Sequence, residues 1–279
     1  MESRPYLGHV AAMATKHGKV PLVGPALCDV LGLLVVQAEV DTDLLGTFSG
    51  EVPRTDAPAA TAFRKARLGM EATGRQIGIA SEGTIGPDGL LPVVADLEVV
   101  AIVDDVHGFS LAETAVGYGT VAHSWVLDGA SPHDHDLHRA GFPSHGLIVR
   151  RDDDPTGTIH KGIRDERALY RAIAECRSRG AGAIRVDSDL RAMHSPTRCT
   201  VIERAARALA ERLAVACPRC ACPGWGLVEV VAGRPCAGCS APTRLVVAHI
   251  EGCPRCDARR TVESAERTAD PSTCGLCNP

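Results

Sequence analysis

Cys217-Pro-Arg-Cys220 is the first of four Cys-x-x-Cys pairs in the last quarter of the chain. The others are Cys236-Ala-Gly-Cys239, Cys253-Pro-Arg-Cys256 and Cys274-Gly-Leu-Cys277. Fifteen residues separate the first pair from the second, and seventeen separate the third from the fourth. Both gaps are typical of four-cysteine zinc sites. Eight thiolates suffice for two tetrahedral zinc ions, so we predict two structural zinc sites, and the spacing leaves open which pairs share an ion.

The segments between the pairs support this interpretation. Apolar stretches at 226–231 and 245–250 predict strands, so residues 206–279 are expected to form a tandem zinc-ribbon module. A disulfide scaffold is the alternative, but the N-terminus lacks a secretory pattern, and cytoplasmic thiols stay reduced. A redox role needs fewer pairs than four. Cys222 is interpreted as a spare thiol, with replacement of Cys220 as the alternative.

Length and composition limit the remaining possibilities. The 279 residues suit one medium domain and one small one, and 45% hydrophobic residues can build a substantial core. No apolar run approaches the length of about 18 residues that a membrane span requires. We therefore expect a soluble, cytoplasmic protein without a membrane partner, and its oligomeric state is not indicated.

Charge argues against nucleic acid as a partner. The formal net charge is −4, and two four-thiolate zinc sites would each add about −2. From Cys217 onwards the sequence has seven Arg and six Asp or Glu, so the metal-loaded module would be acidic. Nucleic-acid binders usually carry a basic surface, and none is indicated here.

The order of apolar runs predicts an α/β domain over residues 1–205, with a mixed sheet, flanking helices and a linking helix at about 196–215 leading to the zinc module. Strands are predicted at 9–13, 33–40, 75–80, 146–149 and 183–186, and helices at 20–31, 56–72 and 165–179. Segments 90–94 and 97–103 are predicted to pair with each other, and 128–145 to form a polar loop. Within that loop, His133, His135 and His138 are weak metal candidates, and a solvated loop is favoured.

Lysines and carboxylates gather where the predicted strands end. The chain contains 26 Arg but only four Lys, and three of the four, Lys16, Lys19 and Lys65, lie in candidate functional segments. Carboxylates follow the strands at Asp41, Asp43, Glu82, Asp187 and Asp189. Open α/β sheets bind ligands at the carboxyl ends of their strands, and this mixture suits Mg²⁺ with a phosphorylated ligand. Solvated loop charges are the alternative for each residue.

Nearly the whole chain resembles a bacterial family with a domain of unknown function, the one numbered 6671, and paired C-terminal zinc ribbons. The segments that carry the resemblance are 14–19, 46–51, 80–83, 187–198, 223–226 and 277–279. This resemblance implies the zinc module and no particular activity.

Residues 9–105 are also distantly similar to nucleoside triphosphate pyrophosphatases of the inosine-triphosphatase type. Thr15 and Lys19 match the phosphate-binding turn of those enzymes, with Lys16 where they have Asn. Lys65, within Ala62-Phe-Arg-Lys-Ala66, matches a lysine on their helix, and Glu82-Gly83 matches an acidic residue followed by glycine. Glu51 corresponds to a metal-binding glutamate. The similarity implies hydrolysis of a phosphoanhydride.

We therefore predict Mg²⁺-dependent hydrolysis of a nucleotide-like phosphoanhydride. The predicted catalytic or metal-binding carboxylates are Glu51, Glu82 and Asp187. The predicted phosphate-binding residues are Thr15, Lys16, Lys19, Lys65, Arg191 and Arg198. The alternative is a non-enzymatic module that binds a ligand, a protein or nucleic acid, with purely structural zinc ribbons.

Overall fold

The computed structural model of the chain describes residues 4–16, 18–41, 56–127, 131–154, 157–180 and 182–279. Asp43 and Glu51 lie outside these residues, as does the segment 46–51 that contributes to the family resemblance. Among the described helices, none combines the length and the apolar character needed to cross a membrane.

The central sheet has five strands in the order β2-β1-β3-β4-β5. Their bounds are β1 (Val10–Ala14), β2 (Leu34–Ala38), β3 (Ile77–Pro87), β4 (Val94–Asp104) and β5 (Phe109–Gly117). β1 pairs in parallel with β2 and β3, whereas β4 pairs antiparallel with β3 and β5. The predicted mixed sheet is therefore confirmed.

Helices cover both faces of this sheet. The helix α1 (Val20–Leu31) begins with proline in its first turn and ends at Gly32, whose φ of 75° is left-handed. It packs on one face through Val23, Leu27 and Leu31. The helix α2 (Pro58–Thr73) packs on the other face. It lies so close to β3 that a Cβ on Gly78 would collide with the Ala66 carbonyl group, so glycine is required there.

A second sheet follows the first along the chain. Its strands are β6 (Ser124–Val126), β7 (Leu147–Arg151), β8 (His160–Ile163) and β9 (Ile184–Ser188). They are antiparallel, in the order β6-β9-β7-β8. A short helix, α3 (Asp134–Arg139), lies within the predicted polar loop. The helix α4 (Glu166–Ser178) covers one face, where Leu169 and Ile173 meet Val149 and Val186 in a separate core.

The chain then returns to the central sheet. The helix α5 (Pro196–Leu213) packs with α1 in the main core through residues such as Ile202, Ala205 and Leu209. A three-stranded sheet completes the fold, with β10 (Gly226–Ala232), β11 (Val246–Gly252) and β12 (Arg259–Glu263) in that order. The two predicted ribbon strands correspond to β10 and β11, and β12 was not predicted.

Two local predictions about the central sheet were wrong. The third strand does not end at residue 80, because β3 pairs with β4 without interruption from Ile77 opposite Asp104 to Pro87 opposite Val94. Glu82 therefore lies inside the strand rather than after it. Segments 90–94 and 97–103 do not pair with each other, because Val94 and 97–103 belong to the single strand β4. The polar residues Ser81 and Glu82 are typical of a turn. They can lie inside a buried strand here because Lys19 bonds to Ser81 and Lys65 pairs with Glu82.

A buried ion pair joins α5 to β4. Arg198 and Glu98 are both fully buried, and the guanidinium Nε donates to Glu98 Oε1. Arg198 Nη1 also donates to the Leu190 carbonyl oxygen at 2.5 Å. A charge removed from water is costly unless it is paired, so each residue requires the other.

Replacing only one partner of this pair should destabilise the protein strongly. We expect Arg198→Leu and Glu98→Leu each to lower the free energy of unfolding by about 3–5 kcal/mol, because each leaves a buried charge without its partner. The double variant should lose clearly less than the sum of the two. Urea unfolding measures all three variants.

Arg207→Ala is the control, because the Arg207–Glu211 pair on the same helix is exposed. Its loss should lower the free energy of unfolding by less than about 1 kcal/mol. Additive losses in the double variant would show that the two side chains are not coupled.

Candidate functional site

Lys19 lies at the carboxyl end of β1, just before α1. Its side chain is buried, and Nζ donates to the carbonyl oxygen and to Oγ of Ser81 at 3.3 and 3.2 Å. β1 pairs with β3 only as far as Met13 opposite Ile79, so Ser81 lies beyond the last paired residue. The lysine therefore occupies the carboxyl end of the parallel strands, where open α/β sheets bind ligands.

Lys65 reaches the same region from the other face. It is on the buried side of α2, and its Nζ forms an ion pair with Glu82 Oε1. Their side chains are only 11% and 6% exposed. Because side chains alternate along a strand, Glu82 points to the α2 face, whereas Ser81 and its lysine lie on the α1 face.

Glu98 adds a second carboxylate to the region. It lies opposite Gly83 in the β3–β4 ladder, and a Cβ on Gly83 would collide with its carboxylate. Gly83 is therefore needed to let Glu98 lie flat across β3 and meet Arg198. This glycine is part of the Glu82-Gly83 motif, and the structure supplies a packing reason for it.

The neighbouring charges act on Lys19. Burial, the largest cause, and the positive charge of Arg198 together lower the pKa of Lys19 to about 8. Glu98 and Glu82 act in the opposite direction, and Lys65 contributes weakly. We call Lys19 and the four residues whose charges act on it the buried charge cluster: Lys19, Lys65, Glu82, Glu98 and Arg198.

Asp96 borders this cluster on β4, two residues before Glu98 and on the same face. Its Oδ2 accepts a hydrogen bond from the Thr120 hydroxyl at 2.5 Å. Burial raises the pKa of Asp96 to about 6, against the lowering effect of the Thr120 hydrogen bond, and neighbouring Glu98 raises it as well. Among the described residues, no donor reaches the buried Asp96 Oδ1 or Glu98 Oε2.

The predicted site residues fall into two groups. Thr15, Lys19, Lys65, Glu82 and Arg198 lie at or near the carboxyl end of β1, and Lys16 pairs with Asp41 nearby at 2.6 Å. Asp187 and Arg191 instead line a cavity of about 300 Å³ on the second sheet. The single site expected from sequence is therefore divided between two sheets. Two groups of side chains among the described residues could hold a metal ion, and His133, His135 and His138 belong to neither of them.

Sequence reasoning missed Glu98 and Asp96. Both are acidic residues within the run Asp96-Leu-Glu-Val-Val100, which precedes a continuous apolar segment. A charged residue inside a buried strand needs a partner. The acidic residues in this apolar run could therefore have indicated a buried polar site. Their partners, Arg198 and Thr120, are 100 and 24 residues away, so only the fold identifies them.

The eight cysteines form two clusters, each built from alternate pairs. The first contains Cys217, Cys220, Cys253 and Cys256, and the second contains Cys236, Cys239, Cys274 and Cys277. The first pair thus joins the third, and the second joins the fourth. The spacing left the pairing open, and the structure shows that alternate pairs share a cluster. Cys222 belongs to neither cluster, whereas Cys220 belongs to the first, which agrees with the interpretation of Cys222 as a spare thiol rather than with the alternative that it replaces Cys220.

The sulfur geometry fits a metal ion. Cross-pair Sγ–Sγ distances are 3.9 and 3.7 Å in the first cluster, and 3.8 and 3.7 Å in the second. A tetrahedron with metal–sulfur bonds of about 2.3 Å has edges of about 3.8 Å, whereas a disulfide needs about 2.05 Å. Backbone N–H groups of Arg219, Gly238 and Arg255 also point at the first sulfur of their turns, which stabilises thiolates.

The two clusters have different surroundings. Cys220 and Cys253 of the first cluster pack against the main core, next to buried Cys222. In the second cluster, Cys239 and Cys277 are exposed. Loss of the first ion should therefore disturb the α/β core, whereas loss of the second should stay local.

Paired cysteine substitutions can test the alternate arrangement. Cys217→Ser with Cys253→Ser removes ligands from one cluster, so we expect one metal ion per chain to remain. Cys217→Ser with Cys236→Ser damages both clusters, so we expect neither ion. Elemental analysis of the purified proteins measures the ratio, with two ions expected for the unaltered chain. The reverse pattern of losses would establish pairing of successive turns instead.

Asp96 should make stability depend on pH. Its folded pKa of about 6 lies above the ordinary value of 3.8, so its contribution to stability is present below about pH 4 and is lost as the pH rises through about 6. We expect the free energy of unfolding of Asp96→Asn to exceed that of the unaltered protein by about 1–3 kcal/mol at pH 7.5, and this difference should vanish near pH 4.

Urea unfolding over this pH range tests the expectation. Asp105→Asn, which alters a half-exposed carboxylate just after the same strand, is the control and should leave the pH profile unchanged. A constant difference between Asp96→Asn and the unaltered protein at every pH would contradict the raised pKa.

Comparison with known proteins places this architecture in one family. No curated protein and no solved structure matches the chain. A family model does match, over residues 65–279, which include Lys65, Glu82, both cysteine clusters and the second-sheet cavity. The chain belongs to the family described as "Domain of unknown function (DUF6671)".

Proposed function

We propose that the α/β part hydrolyses a phosphoanhydride bond of a nucleotide-like ligand with the help of Mg²⁺, and that the two cysteine clusters hold structural zinc. The observation that carries the proposal is the position of Lys19, Lys65 and Glu82. They come from three separate segments: Lys19 bonds to Ser81 on the α1 face, and Lys65 pairs with the adjacent Glu82 on the α2 face. Two buried lysines thus flank β3 at the carboxyl end of the parallel strands. Buried titratable groups with mutual charge interactions at such a position are typical of functional sites.

The cations would hold the phosphates. Lysine offers a compact ammonium group that binds phosphate as a point charge, and this chain uses lysine rarely. Lys19 and Lys65 supply two such groups, while Thr15 and Lys16 follow β1 at the same end of the sheet. Arg198 is bound to Glu98 and to a backbone carbonyl group. We therefore propose that Arg198 holds Glu98 in position and does not itself bind phosphate.

Glu82 is the proposed reacting carboxylate. When a phosphate draws Lys65 towards itself, the carboxylate of Glu82 becomes available to orient a water molecule and to accept its proton as the water oxygen attacks phosphorus. The anhydride P–O bond then breaks, and the leaving phosphate takes the electron pair. When bound, Mg²⁺ would neutralise the phosphate oxygens, with Glu82 and Glu51 as its proposed carboxylate ligands.

Zinc is the proposed metal of the cysteine clusters because four thiolates in a tetrahedron suit it best. Such a closed site has no open position for a substrate. The proposed role of the zinc ions is to stabilise the C-terminal sheet, and the proposed hydrolysis takes place at the central sheet.

One observation favours a second candidate, a binding module without turnover. Both carboxylates of the buried charge cluster already have cation partners, Lys65 and Arg198, so the cluster is stable without a reaction to perform. A nucleic-acid partner is disfavoured, because four of the seven arginines from Cys217 onwards pair with acidic residues of the same module. These pairs are Arg219–Asp257, Arg234–Glu266, Arg259–Glu229 and Arg260–Glu251.

Hydrolysis can be tested with purified protein, Mg²⁺ and a panel of nucleoside triphosphates, with released phosphate or diphosphate as the readout. We expect Glu82→Gln to lower the turnover rate by about 100-fold or more, because an amide cannot accept the proton. Glu211→Gln, on the exposed side of α5, is the matched control and should leave the rate unchanged.

An active Glu82→Gln variant would refute the role of Glu82. A protein that binds nucleotides with Mg²⁺ and releases no product would support the binding module over the hydrolase.

A further inference from the structure

The cavity on the second sheet has the chemistry of a ligand site. It lies on the face opposite α4 and encloses about 300 Å³. This volume is at the lower end of the range for small-molecule pockets. Its apolar lining consists of Ala122, Ile148, Ile159 and Leu190. Polar groups from β6, β7, β9 and the segment after β9 surround these aliphatic side chains.

Two ion pairs form the polar rim of the cavity. Arg150 Nη2 lies 3.2 Å from Asp187 Oδ2. Arg191 Nη2 donates to Asp189 Oδ2 at 2.6 Å. Because each arginine has its own carboxylate, the rim carries no excess positive charge. The cavity therefore does not select for a phosphate group, and it offers hydrogen-bond donors and acceptors side by side.

A flat aromatic wall adds a constraint on shape. His123 lines the cavity, and its ring is fixed between two neighbours. Nε2 lies 3.0 Å from Asp136 Oδ1, and the other contact is a stacked arrangement with Trp125, at a centroid distance of 5.1 Å and an interplanar angle of 19°. A rigid planar surface beside aliphatic side chains suits a planar ring better than a flexible chain.

Arg198 connects this cavity to the buried charge cluster. One guanidinium group donates to Glu98 in the cluster and to the carbonyl oxygen of Leu190 in the cavity lining. The two sites thus adjoin across a single buried side chain. Because the ligand of the proposed function carries another group besides its phosphates, this neighbouring cavity is the candidate site for that group.

We propose that the second-sheet cavity binds a planar, uncharged heterocycle with donor and acceptor edges, namely the base of a nucleotide. This inference rests on the proposed function for the position of the phosphate end. The carboxylates of Asp187 and Asp189 accept from ring N–H or amino groups, and the two guanidinium groups donate to ring nitrogens or carbonyl oxygens. His123 and the aliphatic side chains contact the faces of the ring.

The test separates the two halves of the ligand. Nucleosides carry a base without phosphate, and tripolyphosphate carries phosphoanhydride without a base. Binding of nucleosides is measured by calorimetry, and Mg²⁺-dependent hydrolysis is measured with tripolyphosphate. Ala122→Phe fills the cavity from an exposed lining position, and Asp187→Ala removes an acceptor. Asp153→Asn alters an exposed carboxylate outside the cavity lining as the matched control.

We expect the unaltered protein to bind at least one nucleoside, with both cavity variants weakening that binding by about tenfold or more and the control by less than twofold. Hydrolysis of tripolyphosphate should be unchanged in Ala122→Phe. Hydrolysis of tripolyphosphate without any nucleoside binding would overturn the cavity assignment and leave the proposed hydrolase intact. Nucleoside binding that depends on the cavity, without hydrolysis of any phosphoanhydride, would support the cavity assignment and overturn the hydrolase. Nucleoside binding that is unchanged in Ala122→Phe would also overturn the assignment.

Discussion

The ion pair between Arg198 and Glu98 is the constraint on which the arrangement of the α/β part depends. Both side chains are fully buried, and a buried guanidinium group has to be surrounded by acceptors. Glu98 on β4 and the Leu190 carbonyl group after β9 provide them. One side chain thereby ties α5, the central sheet and the end of the second sheet together, and Gly83 is kept small so that Glu98 can reach it.

The same interaction shapes the candidate site. The charge of Arg198 lowers the pKa of Lys19, and that of Glu98 raises it, so the protonation of the lysine depends on a pair that never meets solvent. A phosphate ligand would add negative charge and raise the pKa of Lys19 again. The pKa of Lys19 would therefore be lower in the empty site than with an anion bound.

The sequence predicted the features that depend on local patterns. The mixed sheet, the helices α1, α2, α4 and α5 and the two clusters of cysteines follow from apolar periodicity, proline and glycine positions and Cys-x-x-Cys spacing. The errors arose where a partner distant in sequence decides the structure. Glu82 was predicted to follow the end of a strand because its buried partner, Lys65, is 17 residues away, and Glu98 gains its role only from Arg198, 100 residues later. Likewise, spacing cannot show that Cys217 meets Cys256 rather than a cysteine of the second pair.

The alternate pairing of the cysteine turns has a consequence for the site itself. α5 ends at Leu213, four residues before Cys217, and Arg212 near its end bonds to Glu113 on β5 and to the Gly224 carbonyl oxygen. A metal ion in the first cluster would hold the turn after α5 against β11 through Cys253, and the core packs on the same cysteines. Fixing the end of this helix also fixes Arg198 at its beginning, because a packed helix moves as a unit. A metal ion in the first cluster would therefore support the candidate site at a distance, because it would anchor the helix whose first turn carries Arg198, the partner of Glu98 and of the Leu190 carbonyl group.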